Sequence, residues 1–391
     1  AINRISTRNF GEIDRIESNT DIYKSNIPVT SIFYTNTPNV GREQYFDLIH
    51  SQYLFNKIGF NFVISKGKAV GDYFNQESIL NKFCLNTFYT GRKYSYLLSY
   101  QNYKVSDTEN GGVLFDNEST DFKLGMGVYI DDAISQVKKS KYTFYQNFNL
   151  TGNDSLIDQN SNDNYYLFHQ STYITNYRRY YDNSSLQSDS TDEFYNKYYG
   201  IPREGLVDDS LRYNRLTNTF GLSNINQLDN KISNDKLINY TGHISLDYFQ
   251  LLQNGADSVV HDTSGLNLLV GGSLNVPFFE DFKLRTRFDY NLLGTNKGNY
   301  IGNLILESNL SDSPNYFWKA SLDISNTDPF IFYDWNNSSQ FQWRNNFQRN
   351  RNVSSNFLLK SNRLLGDIKI KLNMYGNYIY LNKVDRKSTR L

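Results

Sequence analysis

The sequence predicts an all-β protein, an antiparallel up-and-down transmembrane β-barrel of about 16 strands. The sequence does not decide whether these strands close the barrel fully. Three observations predict this fold. Apolar and polar side chains alternate over long segments, the six prolines fall between these segments, and the connections are short and long in turn. A strand that crosses a bilayer in a barrel needs this alternation, because one of its faces meets lipid and the other meets a polar interior.

The alternation is clearest over residues 281–292. Phe288 and Tyr290 share one face of the predicted strand, whereas Arg285 and Asp289 lie on the other face, since strand side chains have a period of two. The alternating segments are roughly twice as long as the usual strand of about 5–6 residues. Their length favours strands that span a membrane over the strands of a soluble sandwich.

Alternation together with turn residues places the individual strands. In chain order they are expected at 29–37, 43–55, 58–65, 79–90, 94–105, 141–151, 164–179, 212–224, 236–252, 264–276, 282–292, 299–310, 316–325, 339–349, 352–363 and 367–382. Sequential strands should pair throughout as one meander, because most connections are too short for crossovers.

The connections fall into two alternating sets. The first set is mostly short: 56–57, 91–93, 277–281, 311–315 and 350–351, with longer members at 152–163 and 225–235. The second set is often long: 66–78, 106–140, 180–211, 253–263 and 326–338, with short members at 294–298 and 364–366. Short periplasmic turns and longer extracellular loops are typical of outer-membrane barrels.

The three hairpins between 264 and 325 should pair apolar side chains with apolar side chains. The predicted pairs are Leu274 with Leu284, Val270 with Phe288, Phe288 with Leu304, and Leu306 with Ala320. A slip of one residue would invert the faces, whereas a slip of two residues would preserve them. The same register predicts that Arg285, Glu307 and Lys319 form one row on the inner wall.

The polar face of these strands supplies candidate lumen residues. They are Lys283, Arg285, Arg287, Asp289, Glu307, Lys319, Asp323, Arg344, Lys369 and Lys371. Rings of charged side chains set pore selectivity, so the surplus of Lys and Arg predicts a weakly anion-preferring interior. The alternative is that these side chains are solvated and neutralise one another. A girdle of aromatic residues at the membrane interfaces is expected at Phe282, Tyr290, Trp318 and Trp343.

The composition excludes several classes of function. Basic and acidic side chains balance at 40 each, so no nucleic-acid partner is expected. Cys84 is the one cysteine, which excludes a disulfide within the chain. The four histidines lack metal-binding spacing, and no nucleophile-elbow, phosphate-loop or dinucleotide motif is present. We therefore expect no enzyme, with no catalytic residues, no cofactor and no metal.

Three regions are expected along the chain. Residues 1–28 should form an N-terminal extension that is plug-like or disordered, and residues 29–384 should form the β-barrel domain. Residues 385–391 resemble the in-frame translation of a sequencing adapter and are expected to be a scar. The chain begins at Ala1 without a signal peptide, so we expect a fragment that is cut at both ends.

Four segments, in order, carry a resemblance to a known family. They are EQYFDLIHSQ at 43–52, GDYFNQ at 71–76, ENGG at 109–112 and YLFHQSTYITNYRRYYD at 166–182. With these segments the chain resembles the putative porins of Bacteroidota over roughly residues 25–384. The resemblance implies an outer-membrane barrel and offers no catalytic residues.

Two classes of function remain in view, and both place the barrel in lipid of the cell outer membrane. The first is a porin that lets small hydrophilic solutes diffuse passively through a polar lumen, because a barrel of about 16 strands encloses an aqueous channel. The second is a non-transport scaffold whose long loops, 106–140 and 180–211, bind a partner or a polysaccharide. An outer-membrane hydrolase or a soluble β-protein is a further, weaker alternative.

Overall fold

The structure is a computed structural model of the chain. It describes residues 27–37, 43–54, 58–71, 73–112, 127–151, 164–184, 195–196, 206–226, 228, 238–255, 261–278, 282–308, 316–329, 331–338, 342–361, 366–377, 379–381 and 388–390. Most of the predicted N-terminal extension therefore lies outside the described residues.

Strands account for almost all of the regular structure. They are β1 (Val29–Thr37), β2 (Glu43–Leu54), β3 (Ile58–Val70), β4 (Glu77–Thr90), β5 (Tyr94–Glu109), β6 (Ala133–Asn149), β7 (Tyr166–Asp182), β8 (Val207–Ser223), β9 (Asn239–Asn254), β10 (His261–Phe278), β11 (Phe282–Gly294), β12 (Tyr300–Ser308), β13 (Tyr316–Thr327), β14 (Trp335–Asn337), β15 (Gln342–Arg344), β16 (Asn350–Ser361), β17 (Gly366–Gly376), β18 (Ile379–Leu381) and β19 (Ser388–Arg390). One short helix, α1 (Ile331–Asp334), precedes β14.

Fifteen of these strands form one antiparallel sheet, in the order β1 to β13, then β16 and β17. Each strand pairs with the next one along the sheet, so the predicted up-and-down topology is confirmed. The sheet is not closed, and β1 and β17 are its edges. The three longest connections, 110–132, 183–206 and 328–349, open at one end of the sheet, which we call the long-loop end. The opposite end, with the connections 91–93 and 279–281, is the short-turn end.

The two faces of the sheet have the reverse of the polarity found in a soluble protein. We call the face that carries Leu98, Leu246 and Phe288 the outer face, and there Leu98 is 52 % and Phe288 47 % exposed. The inner face carries Asn61 and Asn147, which are 0 % and 1 % exposed. Among the described residues, polar side chains outnumber apolar ones at buried positions. This distribution is unfavourable in water and is what a lipid-facing sheet requires.

The predicted strand 339–349 is wrong. Residues Asn350–Ser361 form β16, which pairs directly with β13, so 328–349 is a single connection. Apolar residues of β16 take the outer positions beside β13, for example Val353 opposite Ile324. The alternation in 339–349 is real, but it forms only the small hairpin β14–β15, which lies outside the main sheet.

The last predicted strand, 367–382, is shorter than expected. β17 ends at Gly376, and the next residue, Asn377, has a φ of 58°, a left-handed conformation that interrupts an extended strand. The strands β18 and β19 pair with each other in a separate two-stranded sheet. That hairpin includes residues 388–390 of the segment that was expected to be a scar.

In the three hairpins the predicted residues lie on the predicted faces, but the residue pairs are shifted in two of them. The pair Leu306–Ala320 is confirmed. Elsewhere the observed pairs are Leu274 with Thr286, Val270 with Tyr290, and Phe288 with Gly302. The first turn is 279–281 rather than 277–281, and moving the centre of a turn by one residue moves every pair by two. A bulge at Leu268 and Leu269 changes the register only at the long-loop end of that hairpin.

Candidate functional site

The charged residues that the sequence places on β11–β13 meet on the inner face. Lys283 lies opposite Glu307, which in turn lies opposite Lys319. Arg285, two residues further along β11, forms an ion pair with the same glutamate. The predicted row of Arg285, Glu307 and Lys319 is therefore displaced, with Lys283 in the place of Arg285. Three basic side chains surround one carboxylate.

A second group surrounds Asp289. Its carboxylate lies 2.8 Å from Nε of Arg287 and 3.2 Å from Nε2 of His243 on β9. These strands are separated by β10, where Gly271 leaves room, because a Cβ at that position would lie 2.1 Å from the Asp289 carboxylate. Sequence analysis placed Asp289 on this face but gave no partner to His243. Predicting the contact between His243 and Asp289 would have required the register of β9 and β11 on either side of β10.

The inner face of β8 and β9 carries a third group that sequence analysis missed. Nε of Arg215 lies 2.6 Å from Oδ1 of Asp247, and the hydroxyl of Thr217 donates to the same oxygen at 2.8 Å. Elsewhere on this face Asn86 donates its amide to Asn61 at 2.7 Å. These cross-strand bonds satisfy side chains that burial would otherwise leave unpaired.

Charge is distributed unevenly over the inner face. On β11–β17 its basic residues are Lys283, Arg285, Arg287, Lys319, Lys360, Lys369 and Lys371, and its acidic residues are Asp289, Glu307, Asp323 and Asp367. On β1–β9 the basic residues are Lys82, Lys139, Lys141, Arg178 and Arg215, and the acidic residues are Glu43, Asp47, Asp107, Glu109, Asp182, Asp209 and Asp247. The surplus of basic groups is thus confined to the C-terminal strands.

The predicted aromatic girdle divides into two parts. Phe282 and Trp318 lie on the outer face at the short-turn end, with ring centroids 5.6 Å apart. Tyr290 lies on the same face toward the long-loop end, opposite Tyr300. Trp343 does not belong to the sheet. That the first three residues meet a membrane interface stays a prediction.

The connection 328–349 reaches the inner face. Nε2 of Gln253, at the long-loop end of β9, donates to Oδ1 of Asn336 in β14 at 2.7 Å, and both residues are buried. The hairpin β14–β15 also holds Arg344, a predicted lumen residue, and Trp343, a predicted girdle residue, so both lie outside the main sheet. The hairpin therefore lies beside the inner face of β9 at the long-loop end.

Two other connections pack together at the long-loop end. Tyr129, Ile130 and Ala133 form an apolar cluster with Tyr195 and Val207. The Tyr195 hydroxyl donates to Oδ2 of Asp182 at 2.6 Å. Burial raises the pKa of the Tyr195 phenol far above its usual range, and Tyr180 and Asp182 raise it further. The described parts of 110–132 and 183–206 therefore pack against each other.

Within the described part of the chain, no three His, Cys, Asp or Glu side chains come together in a way that would hold a metal ion. None of the described helices is long and apolar enough to cross a membrane.

Comparison with known proteins gives a family and a fold. A family model with the description "Putative porin" matches residues 7–388. Comparison with curated proteins gives no match.

Several solved structures share the fold. The copper transporter OprC matches with a TM-score of 0.60 and 10 % identity over 95 % of this chain and 57 % of that chain. The siderophore receptor PirA matches with TM-scores of 0.57 for the protein from Acinetobacter baumannii and 0.56 for that from Pseudomonas aeruginosa, each at 10 % identity. Both matches cover 92 % of this chain, and 54 % and 57 % of those chains respectively. The chain thus spans little more than half the length of each, and at this identity the likeness concerns the fold alone.

Proposed function

The chain belongs to the putative porin family, whose model matches residues 7–388, and from that premise we propose that it forms an outer-membrane β-barrel through which small hydrophilic solutes diffuse passively. One observation carries the proposal: a single sheet exposes its apolar side chains on one face and buries polar ones on the other. We propose no catalytic role, cofactor or nucleic-acid partner. The partners are membrane lipid and the solutes themselves.

The outer face supports a lipid environment on energetic grounds. Leu98, Leu246, Phe288 and Leu322 lie on it in strands from both halves of the sheet, and each is more than one third exposed. Removing a side chain of this size from water is worth about 1.5–3 kcal/mol. A sheet with many such positions is stabilised by a bilayer and would aggregate in water.

The inner face supports a hydrated path rather than a dry core. Arg215, Arg285 and Arg287 retain 41–66 % of their side-chain exposure even though they are ion-paired. Over β1–β17 the inner basic and acidic residues nearly balance. We therefore expect weak ion selectivity, and the predicted anion preference would have to arise from the C-terminal strands.

The hairpin β14–β15 supports a size limit for the solutes. It approaches the inner face of β9 through the Gln253–Asn336 hydrogen bond. Because this contact lies at the long-loop end, a solute that enters from that side would meet the hairpin first. Small hydrophilic molecules fit this arrangement better than large ones.

Planar-bilayer conductance of the full-length protein tests the proposal. A passive pore should give discrete, ohmic current steps, and proteoliposomes should admit small neutral sugars without an energy source. The matched control is the same protein denatured before reconstitution. Insertion into the bilayer without current steps would contradict the pore.

The packed loops favour the scaffold as the second candidate. The cluster of Tyr129, Ile130 and Ala133 with Tyr195 and Val207 joins the described parts of the two loops that such a scaffold would present to a partner or a polysaccharide. The same conductance experiment separates the two functions. A scaffold with a blocked interior inserts but carries no current.

A further inference from the structure

Basic residues on the outer face of β3–β8 all lie toward the long-loop end. They are Lys66, Lys68, Lys104, Lys138, Arg179 and Arg212. None of them contributes to the inner face, so the proposed solute path does not explain them.

Cross-strand pairing joins four of these residues into one continuous row. Lys66 lies opposite Asn81, which lies opposite Lys104, and Lys104 lies opposite Lys138. Lys138 in turn lies opposite Tyr177, which lies opposite Arg212. We call these four basic residues, together with Asn81 and Tyr177 between them, the basic row. It crosses six adjacent strands, a distance of about 24 Å.

The basic row carries charge that its neighbours do not neutralise. Lys68 and Arg179, just outside it, are paired with Glu77 at 2.8 Å and with Asp208 at 2.7 Å. In the described strands and loops, by contrast, no carboxylate pairs with the row's three lysines or with Arg212.

Within the row, Lys104 directly opposes Lys138 across the strands. Like charges at such positions are destabilising. The guanidinium of Arg212 lies 5.6 Å from the ring centroid of Tyr177, which orients it without neutralising its charge. An anion beside the row would remove this repulsion.

The row also marks the edge of the apolar belt. Toward the short-turn end, the first large apolar or aromatic side chains on the same strands are Ile64, Phe83, Tyr100, Tyr142, Tyr173 and Leu216. They lie two to four residues away, or about 7–13 Å.

Strand lengths place the row at the same boundary. In β6, β7 and β8, 11 residues lie between the row and the short-turn end of the strand. A tilted strand needs about 9–11 residues to cross the hydrocarbon core. The row thus lies where the bilayer ends and the headgroups begin.

We propose that the basic row binds the phosphates of anionic lipid headgroups in the leaflet at the long-loop end. The inference rests on the proposed membrane barrel. Lysine stems lie along the apolar belt while their ammonium groups reach the headgroup layer. Bound phosphates neutralise the Lys104–Lys138 repulsion and accept hydrogen bonds from Asn81, Tyr177 and Arg212. Because the row spans six strands, it has room for more than one headgroup.

Lipid retention on the purified full-length chain tests the proposal. The protein is exchanged into detergent with diphosphoryl lipid A, its dephosphorylated form, phosphatidylglycerol or phosphatidylcholine, and the bound fraction is measured by native mass spectrometry. We compare the wild type with the variant K66Q/K104Q/K138Q. Each cation near an anionic surface is worth about 1 kcal/mol, so retention of diphosphoryl lipid A should fall about tenfold or more. Retention of phosphatidylcholine should not change.

The matched control is K82Q/K141Q/K360Q, which removes the same charge from the inner face and should retain lipid A as the wild type does. Heat-modifiable gel mobility shows that each variant is folded. Added inorganic phosphate should not displace the lipid, because the site needs the headgroup and its acyl chains together.

The outcomes separate this inference from the proposed function. Wild-type protein that fails to insert into phosphatidylcholine vesicles would contradict both. Protein that inserts but retains phosphorylated and dephosphorylated lipid equally would overturn the lipid site alone. So would a folded row variant that retains lipid A as well as the wild type does, because the row would then be a docking surface for some other partner.

Discussion

The N-terminal and C-terminal halves of the sheet distribute their basic residues differently between the two faces. On β3–β8 six basic residues point outward and the inner face of β1–β9 has more acidic than basic groups. On β11–β17 seven basic residues point inward, and Arg351 is the single outward basic residue of the described strands β10–β17. The net charge of zero does not reveal this difference. Which face a charged side chain occupies depends on its position in the strand, because successive side chains point to opposite faces.

Strand length also differs along the sheet. β5–β10 have 16–18 residues each, whereas β11–β13 have 9–13. A tilted transmembrane strand needs about 9–11 residues, so the longer strands extend beyond the bilayer. The long strands β5–β8 carry four of the six outward basic residues, Lys104, Lys138, Arg179 and Arg212.

The largest expected effect comes from placing a charge in the apolar belt. Leu98→Arg on β5 and Leu322→Arg on β13 should each destabilise the folded protein by about 2–4 kcal/mol, since both residues lie within the apolar belt of the outer face. Equal losses would show that the two halves share one lipid-facing belt. Guanidinium unfolding in phosphatidylcholine vesicles measures the change, with Leu98→Met and Leu322→Met as controls. A loss of stability for only one of the two substitutions would show that the two halves do not share a lipid-facing belt.

A smaller effect is expected from the inner carboxylates. Asp247 in the N-terminal half is buried and holds both Arg215 and Thr217. Asp367 in the C-terminal half is half exposed and lies 3.8 Å from Lys360. Asp247→Asn should cost about 1 kcal/mol, after allowance for the exposure of the arginine.

The control for that change is Asp367→Asn, which should cost close to nothing because exposed ion pairs contribute little. Unfolding in the same vesicles gives both values. If the two substitutions lower the free energy of unfolding equally, the burial of Asp247 does not make its contacts more stabilising than those of Asp367.

The charge imbalance between the halves should appear as opposite shifts in ion selectivity. Neutralising the basic side with K283Q/R285Q/R287Q should lower the anion-to-cation permeability ratio roughly twofold, and neutralising the acidic side with D47N/D107N/D209N should raise it by a similar factor. The asparagines keep a hydrogen-bond acceptor, for example for the Ser65 hydroxyl at position 47. Reversal potentials in a salt gradient measure both ratios. Shifts of the same sign, or none, would show that the wall does not control permeation.

The sequence predicts the fold well because period two is a direct physical signal. Each of the fifteen sheet strands overlaps a predicted strand, and outward residues such as Phe288 face as predicted. The exact register is harder, because a turn centred one residue later, as at 279–281, moves every pair by two without changing any face.

The remaining misses have a common cause in tertiary contacts. Residues 339–349 alternate as a wall strand would, but β16 already occupies the edge of β13. The basic row was also missed, because Lys66, Lys104, Lys138 and Arg212 are far apart in sequence and only the pairing of six strands brings them together. The sequence signal that could have found them is that each lies in phase with the outward-facing residues of its strand.

The smallest expected effect concerns the hairpin that links the two halves. Asp334 precedes β14, and its carboxylate accepts the backbone N–H of Phe347 at 3.1 Å. Burial raises the pKa of Asp334 above its usual value, and the Phe347 hydrogen bond only partly offsets this. A carboxyl whose pKa is raised by folding favours the docked hairpin below its unfolded pKa, and that contribution is lost as the pH rises through the folded pKa. Docking should therefore weaken slightly between acidic and neutral pH.

Tryptophan fluorescence can follow this docking, because the chain has three tryptophans and Trp335 and Trp343 lie in the hairpin. In a Trp318→Phe background the emission should shift slightly toward longer wavelength as the pH rises. Asp334→Asn keeps an acceptor for the Phe347 N–H but cannot ionise, so it should abolish the shift. The matched control is Asp328→Asn, which alters the carboxylate paired with Arg349. It should keep the shift but move it to lower pH, because the charge of Asp328 helps to raise the pKa of Asp334. A shift that persists in Asp334→Asn would assign the pH dependence to another group and remove Asp334 from the link between the halves.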